Sequence, residues 1–227
     1  EKKKIKFYQA STSEMFGGSK PPQNEKTPFQ PKSPYGAAKL FGYWITKIYR
    51  ESYNIHASNG ILFNHESPLR GETFVTKKIV NSVARNFVGI KNVLILGNLN
   101  AERDWGHARD YVKSMWQILQ KKNPDDYVIC SEKSYSVRQF VEAAYKNIGI
   151  KIVWKGKGLK EVGLDKKNNN VLIRISPKYF RPNEVNNLRG SSAKARKVLK
   201  WKNSTSFKSL VKEMVLYEIN SLKNKKS

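Results

Sequence analysis

The sequence predicts an α/β protein with a mainly parallel sheet, and three observations predict it. Short apolar runs alternate with longer stretches whose apolar residues recur at helical spacing. Connections rich in Pro, Gly and Asn separate them. The first run leads into Thr12-Ser13-Glu14, and a helix opened by Ser33-Pro34 carries Tyr35 and Lys39. Strands that alternate with helices need crossover connections, and crossovers pair strands in parallel.

The elements follow in order. Ile5 to Gln9 is a β-prone run, of the kind that sits inside a larger parallel sheet. Gly17 to Ser33 reads as a loop stiffened by Pro21, Pro22, Pro28 and Pro31. Ser33 suits an N-cap and Pro34 the first helical position, so a helix is predicted to about Glu51, with Leu40, Trp44 and Ile48 at helical spacing. His56 to Asn64 reads as a strand, Phe74 to Val88 as a helix and Val93 to Leu96 as a strand. Asp110 is expected to cap a helix through Met115 and Leu119. Tyr127 to Cys130 is a further strand. Ser136 with Gln139 forms a capping box that opens a helix to about Ile148. Gly156 to Asn170 is polar and reads as a surface loop, followed by a strand from Val171 to Ile175. Helices are predicted from Ser192 to Leu199 and from Ser206 to Leu222. Trp44, Trp116 and Trp154 are expected in the core.

The bulk numbers bound the function. The 227 residues are 39% hydrophobic and 11% aromatic, which is globular rather than disordered. The lone cysteine, Cys130, excludes a disulfide framework and suits a reducing compartment. No apolar run is long enough to cross a bilayer, and no apolar signal segment follows the opening lysines. A cytoplasmic protein without a membrane partner is expected. The net charge of +25 invites a nucleic-acid reading. The lysines, however, spread along the whole chain, with short runs at Lys2 to Lys4, Lys166-Lys167 and Lys223 to Lys226. That distribution reads as a solvated surface, so nucleic acid is not the expected partner. A diphosphate-bearing substrate also favours a positive cleft. His56, His65 and His107 lack zinc-type spacing, and no metal is expected.

Tyr35 and Lys39 share one helix face a turn apart. A phenol with an ordinary pKa of about 10 is a poor base at neutral pH, and a neighbouring ammonium favours its phenolate. The small residues Gly36, Ala37 and Ala38 would let a cofactor approach the helix. Thr12 and Glu14, two apart in extended chain, would face the same side. The Tyr–Lys spacing alone carries little, since Tyr43 and Lys47 repeat it. Its place at a helix start, after a strand that ends in Thr-x-Glu, is what marks it, because ligand clefts open at the ends of parallel strands.

Several segments together, YQASTSEMFG, SPYGAAKLFGYW, NGILFNHESP, RGETFVTKK, LGNLNAERDWGHARDYV and YFRPNEV, resemble the GDP-mannose 4,6-dehydratases. These are extended short-chain dehydrogenase/reductases. The similarity runs from about Phe7 to about Met214, and FNHESP with RDWGHA separates this group from dTDP-glucose dehydratases. The resemblance implies the C-terminal part of a Rossmann-type doubly wound parallel sheet plus a smaller α/β substrate-binding domain. Residues 1–65 would belong to the first and 66–227 mainly to the second, with residues near 92–112 returning to the Rossmann sheet.

It also implies a lyase that converts GDP-mannose to GDP-4-keto-6-deoxymannose and water, with transient hydride transfer to NADP. Tyr35 would take the sugar 4-hydroxyl proton, Lys39 would hold the nicotinamide ribose, Thr12 would orient the 4-oxygen, and Glu14 would remove the C5 proton. His65 and Arg70 would join Tyr35 and Lys39 at NADP. Asn64, Lys78, Arg103, Arg181 and Glu184 would surround GDP, the arginines as bidentate phosphate ligands. Leu69 stands where an arginine is expected beside Arg70. A homo-oligomer is expected of a full-length member. No glycine-rich G-x-x-G-x-x-G follows a strand anywhere in the chain. The resemblance places that loop upstream of Thr12, so the chain is expected to start inside the fold, at about its fifth strand. Two other readings remain open: a nucleotide-sugar-binding remnant without turnover, and a basic nucleic-acid module.

Overall fold

The computed structural model describes residues 5–180, 185 and 187–224. In chain order the elements are β1 (Phe7–Thr12), α1 (Pro34–Tyr53), β2 (Ala57–Leu62), β3 (Asn64–Glu66), α2 (Val75–Phe87), β4 (Leu94–Leu96), β5 (Glu102–His107) and α3 (Ala108–Leu119). Then come β6 (Asp126–Ile129), β7 (Ser134–Ser136), α4 (Val137–Lys146), β8 (Ile152–Lys155), β9 (Val162–Asp165), β10 (Val171–Ile175), β11 (Asn187–Leu188) and α5 (Phe207–Asn224). Two units result. The first holds Glu1–His65, Glu102–Ser134 and Asn183–Thr205, and the second holds Glu66–Ala101, Tyr135–Pro182 and Ser206–Ser227. The first unit thus takes up residues 102–134 and 183–205 besides the N-terminal stretch.

In the first unit β1, β2 and β6 form a parallel sheet with β2 in the centre. All six residues of β2 are buried, as a strand covered on both faces must be. Ile61 and Leu62, adjacent and therefore on opposite faces, belong to different apolar clusters. Ile61 packs with Met15, Phe16, Tyr43, Phe63 and Val128. Leu62 packs with Tyr111, Ile118, Tyr127, Ile129, Leu199 and Trp201. Each large side chain removed from water in this way contributes about 1.5–3 kcal/mol before entropy is counted. In the same unit β5 lies between β11 and β3.

The N-terminus of α1 is as expected. Ser33 Oγ accepts the Gly36 N–H at 3.0 Å, and Pro34 opens the first turn. Its buried face is not. Gly36, Tyr43 and Thr46 are buried, whereas Trp44 is 46% and Ile48 49% exposed. The helix is apolar on more than one side, so spacing alone does not say which side meets the sheet. A polar network decides it. Tyr43 Oη donates to Asp126 Oδ2 (3.0 Å), which with Oδ1 also takes Arg50 Nη1 and Nη2 (2.8 and 3.0 Å) and Asn59 Nδ2 (2.9 Å). Trp116, also expected in the core, is 65% exposed, and Trp154 is half-buried. The indoles that are buried are Trp105 and Trp201.

The expected cap of α3 is corrected as well. His107 is the N-cap, its Nδ1 accepting the Arg109 N–H at 3.0 Å. Asp110 sits a turn further in and ties down another segment, accepting N–H bonds from Ser204 (3.1 Å) and Thr205 (2.9 Å). The predicted helix 192–199 is a short turn of π type over Ala195–Leu199.

In the second unit the sheet order is β4-β10-β9-β8, parallel between β4 and β10 and antiparallel elsewhere. The Gly156–Asn170 stretch, expected as loop, contains β9. Its four residues carry too little apolar pattern to announce a strand, and β8 and β10 supply the pairing on either side. The Ser136 capping box is present: Gln139 N donates to Ser136 Oγ (3.1 Å) and Ser136 N to Gln139 Oε1 (2.8 Å). α2 and α5 are joined by a buried Lys77–Glu218 ion pair.

Candidate active site

β1 ends at Thr12, whose extended backbone (φ −143°, ψ 150°) turns into a 3-10 turn over Ser13–Met15. Thr12 Oγ1 caps that turn by accepting the Glu14 N–H at 3.3 Å. Glu14 therefore does not share a side with Thr12 through strand alternation, as the sequence reading supposed. Anchoring replaces it: Ser11, Ser13 and Met15 are buried, which leaves Thr12 and Glu14 as the partly open positions.

The start of α1 is seated on this turn. A Cβ on Gly36 would fall 2.8 Å from the Glu14 carbonyl oxygen and 3.2 Å from Pro31 Cβ. Glycine at 36 thus lets the first turn of α1 press against Glu14, and that helix turn carries Tyr35. Gly36 is buried against its own chain, so it does not leave space for a cofactor as expected. One turn on, Lys39 Nζ donates to the Ala10 carbonyl of β1 at 3.0 Å and lies 5.8 Å from the centre of the Tyr35 ring. Tyr35 itself is 55% exposed. Backbone contacts thus gather Thr12, Glu14, Tyr35 and Lys39 at the C-terminal end of β1, the end of a parallel strand where ligands bind.

Three other expected residues lie in the first unit. His65 donates from Nδ1 to the Phe63 carbonyl (2.8 Å), and its ring stacks on Tyr111 at 4.8 Å. A carbonyl only accepts, so this bond puts the proton on Nδ1. Asn64 Oδ1 is buried without a hydrogen-bond partner among the described residues. Arg103 is 9% exposed and spends Nη1 on two carbonyls, Glu102 O (2.9 Å) and Val185 O (2.7 Å), so these bonds are internal rather than aimed at a phosphate. Arg181 and Glu184 lie outside the described residues.

Arg70 and Lys78 belong to the second unit. The Arg70 guanidinium stacks 3.5 Å over the Phe74 ring, with Nε 3.1 Å from Glu66 Oε2. Glu66 is buried and accepts Thr76 Oγ1 at 2.7 Å. Burial raises its pKa, and the Arg70 charge and the Thr76 bond counter that only in part. Sequence reasoning passed over Glu66, although an acid four residues before Arg70 was a visible signal. Lys78 Nζ lies 4.8 Å from the centre of the Tyr179 ring. Leu69 is 83% exposed. Among the described residues no His/Cys/Asp/Glu group could hold a metal. Burial pushes the Cys130 thiol well up, which unsuits it for nucleophilic work. No described helix is long and apolar enough to cross a membrane.

Comparison with known proteins gives the following. GDP-mannose 4,6-dehydratase of Sinorhizobium fredii is 53% identical over 221 residues, covering 97% of this chain and 63% of the relative. The Drosophila melanogaster protein of that name is 52% identical over 222 residues, covering 97% and 56%. The Homo sapiens one is 51% identical over 220 residues, covering 96% and 59%. The chain thus spans about three fifths of the length of these curated relatives. Among solved structures, RMD from Pseudomonas aeruginosa complexed with NADPH superposes with a TM-score of 0.78 at 18% identity, covering 95% of this chain and 66% of that one. dTDP-glucose 4,6-dehydratase from Bacillus anthracis in complex with NAD follows with a TM-score of 0.77 at 20% identity, covering 96% and 63%. At such identities the likeness is one of fold: a Rossmann-type α/β architecture. The model of the GDP-mannose 4,6 dehydratase family matches residues 1–214, nearly the whole sequence, and the chain belongs to that family.

Proposed function

We propose that this chain carries the reaction centre and nucleotide-sugar contacts of a GDP-mannose 4,6-dehydratase, a cytoplasmic NADP-dependent hydro-lyase that forms GDP-4-keto-6-deoxymannose and water. The observation that carries the proposal is the seating of Gly36 on the Glu14 carbonyl, with Lys39 tethered to β1, which supports a single centre for Tyr35, Lys39, Thr12 and Glu14. The residues present in the first unit fit the nicotinamide end of the cofactor: a half-exposed phenol and an ammonium stand at the end of a parallel strand. Arg70, in the second unit, is by itself a braced cation of the kind that binds a phosphate. NADP, when bound, supplies the hydride acceptor and donor.

The chain's own residues handle the protons. Tyr35 removes the proton of the sugar 4-hydroxyl, with the Lys39 ammonium 5.8 Å from the centre of its ring. The Thr12 hydroxyl fixes the 4-oxygen. Once C4 is a ketone, the C5 proton is acidic, and Glu14 removes it and passes it to the departing 6-hydroxyl, which leaves as water. With hydride returned to C6, C5 regains a proton, which balances the one Tyr35 took from the 4-hydroxyl. His65 assists at the cofactor. Asn64, Lys78, Arg181 and Glu184 hold GDP, and the unmet Asn64 acceptor is the kind of group that a hydroxyl or amide satisfies. Arg103 joins them by exchanging one of its carbonyl bonds for a phosphate oxygen. Homo-oligomerisation of a full-length protein belongs to the proposal, supported by the exposed apolar residues Phe41, Ile45 and Tyr49 of α1.

The test is incubation of the 227-residue chain with GDP-mannose and NADP, read as loss of water by mass spectrometry. Tyr35→Phe is expected to lower turnover at least 100-fold, within the range that a positioned acid–base group supplies. Full turnover by that variant overturns the assignment. Binding without turnover would favour the second reading, a nucleotide-sugar-binding piece.

A further inference from the structure

Tyr179 belongs to no role assigned so far, yet the second unit builds a mount for it. β4 and β10 run parallel and pair Leu96 with Ile175. Just beyond that pair, Ser176 N donates to the Leu96 carbonyl at 2.8 Å. Ser176 then caps a 3-10 turn over Pro177–Tyr179, its Oγ accepting the Lys178 N–H at 3.3 Å. Tyr179 N and Phe180 N close the turn on Ser176 O (3.2 Å) and Pro177 O (3.0 Å). Gly97 meets this turn backbone to backbone, since a Cβ there would fall 2.3 Å from the Tyr179 carbonyl oxygen. The turn is therefore held at the C-terminal ends of two parallel strands, with proline restricting its backbone.

What the mount presents is an aromatic ring, 45% exposed, with the Lys78 ammonium 4.8 Å from its centre. A large aromatic ring left half in solvent gains little for the core. A cation touching it means that an anion drawn to Lys78 arrives beside a π-face. A nucleoside diphosphate offers both matching groups, a phosphate for the ammonium and a flat base for the ring. We propose that Tyr179 is the base-stacking residue of the nucleotide subsite and that its ring, beside Lys78, favours a purine over a pyrimidine diphosphate. The larger purine covers more of the ring. This rests on the reading of the chain as a GDP-sugar protein and names a specificity-determining side chain for it.

The experiment is calorimetric titration of the 227-residue chain with GDP and with UDP. Tyr179→Phe is expected to bind GDP within twofold of the wild type. Tyr179→Leu is expected to weaken GDP by roughly 5- to 100-fold, the worth of one base–aromatic stack, and UDP by less, which narrows the preference. Lys78→Gln should weaken both ligands and flatten their dependence on salt. Circular dichroism of each variant checks the fold, which a half-exposed ring should not disturb. If the wild type binds GDP and Tyr179→Leu binds GDP and UDP unchanged, the stacking role is overturned while the GDP-sugar reading stands. If the wild type binds neither nucleotide, that reading falls and the stacking role falls with it.

Discussion

Gly36 shows how one residue sets the geometry of the proposed centre. In an exposed helix, glycine costs up to about 1 kcal/mol relative to alanine, so Gly36→Ala would ordinarily stabilise α1. Here the added methyl would stand 2.8 Å from the Glu14 carbonyl, which is main chain and cannot swing aside. The expected outcome is a loss of about 1–3 kcal/mol, the usual cost of overpacking, read from the urea midpoint. Any residual turnover should fall by more than the stability loss explains, because the same clash moves Tyr35 away from Glu14. A midpoint at or above that of the wild type would mean that the helix start is free to move. The glycine was visible in the sequence. Its reason was not, since only the fold reveals that the crowding atom comes from a turn 22 residues earlier.

Among the elements, α2 and α5 of the second unit carry the clearest energetic test. Lys77 and Glu218 pair with side chains only 10% and 11% exposed, and Lys77 Nζ also donates to the Pro68 carbonyl at 2.7 Å. Removal of one partner from a buried pair leaves an uncompensated charge and costs about 3–5 kcal/mol, whereas apolar replacement of both is often nearly neutral. Glu218→Leu alone should therefore lower stability strongly, and Lys77→Met with Glu218→Leu should recover most of it. A double-mutant cycle by urea unfolding checks this, and additive losses would contradict it. The pairing was hidden in sequence because 141 residues separate the partners. α1 teaches the complementary lesson. Its caps, Ser33 and Pro34, were readable locally, while its buried face was set by the reach of Tyr43 to Asp126.

For the whole molecule, buried carboxylates of opposite behaviour shape the pH profile. Burial pushes Asp104 up to about 6, although it accepts the N–H groups of Ser131 (2.7 Å) and Glu132 (2.8 Å). Asp126 is also raised by burial, but its bonds to Arg50, Asn59 and Tyr43 outweigh this and leave it below the usual carboxylate value. The signs differ accordingly. The contribution of Asp126 is present above the unfolded value and is lost as pH falls through the folded one. A carboxyl raised in the fold stabilises most fully below the unfolded value of 3.8 and loses that contribution as pH rises through about 6. Asp104→Asn removes the second dependence. Its stability gap to the wild type should shrink from pH 4.5 to pH 7, by about 1–3 kcal/mol at 1.36 kcal/mol per pKa unit. Urea midpoints across that range test it, and a constant gap would refute it.

The sequence by itself determined the α/β class, most helix starts, the capping box at Ser136 and the local identity of Thr12, Glu14, Tyr35 and Lys39. Those features depend on neighbours within a turn or two, which periodicity and capping chemistry report. Only the tertiary structure decided that Glu14 sits in a 3-10 turn, that Gly36 crowds it, that Trp44 and Trp116 face outward, and that β9 exists inside a polar stretch. It also gave Arg103 its internal bonds and brought Tyr179 beside Lys78. Each of these depends on what a residue meets from a distant part of the chain, and a one-dimensional pattern holds no record of that meeting.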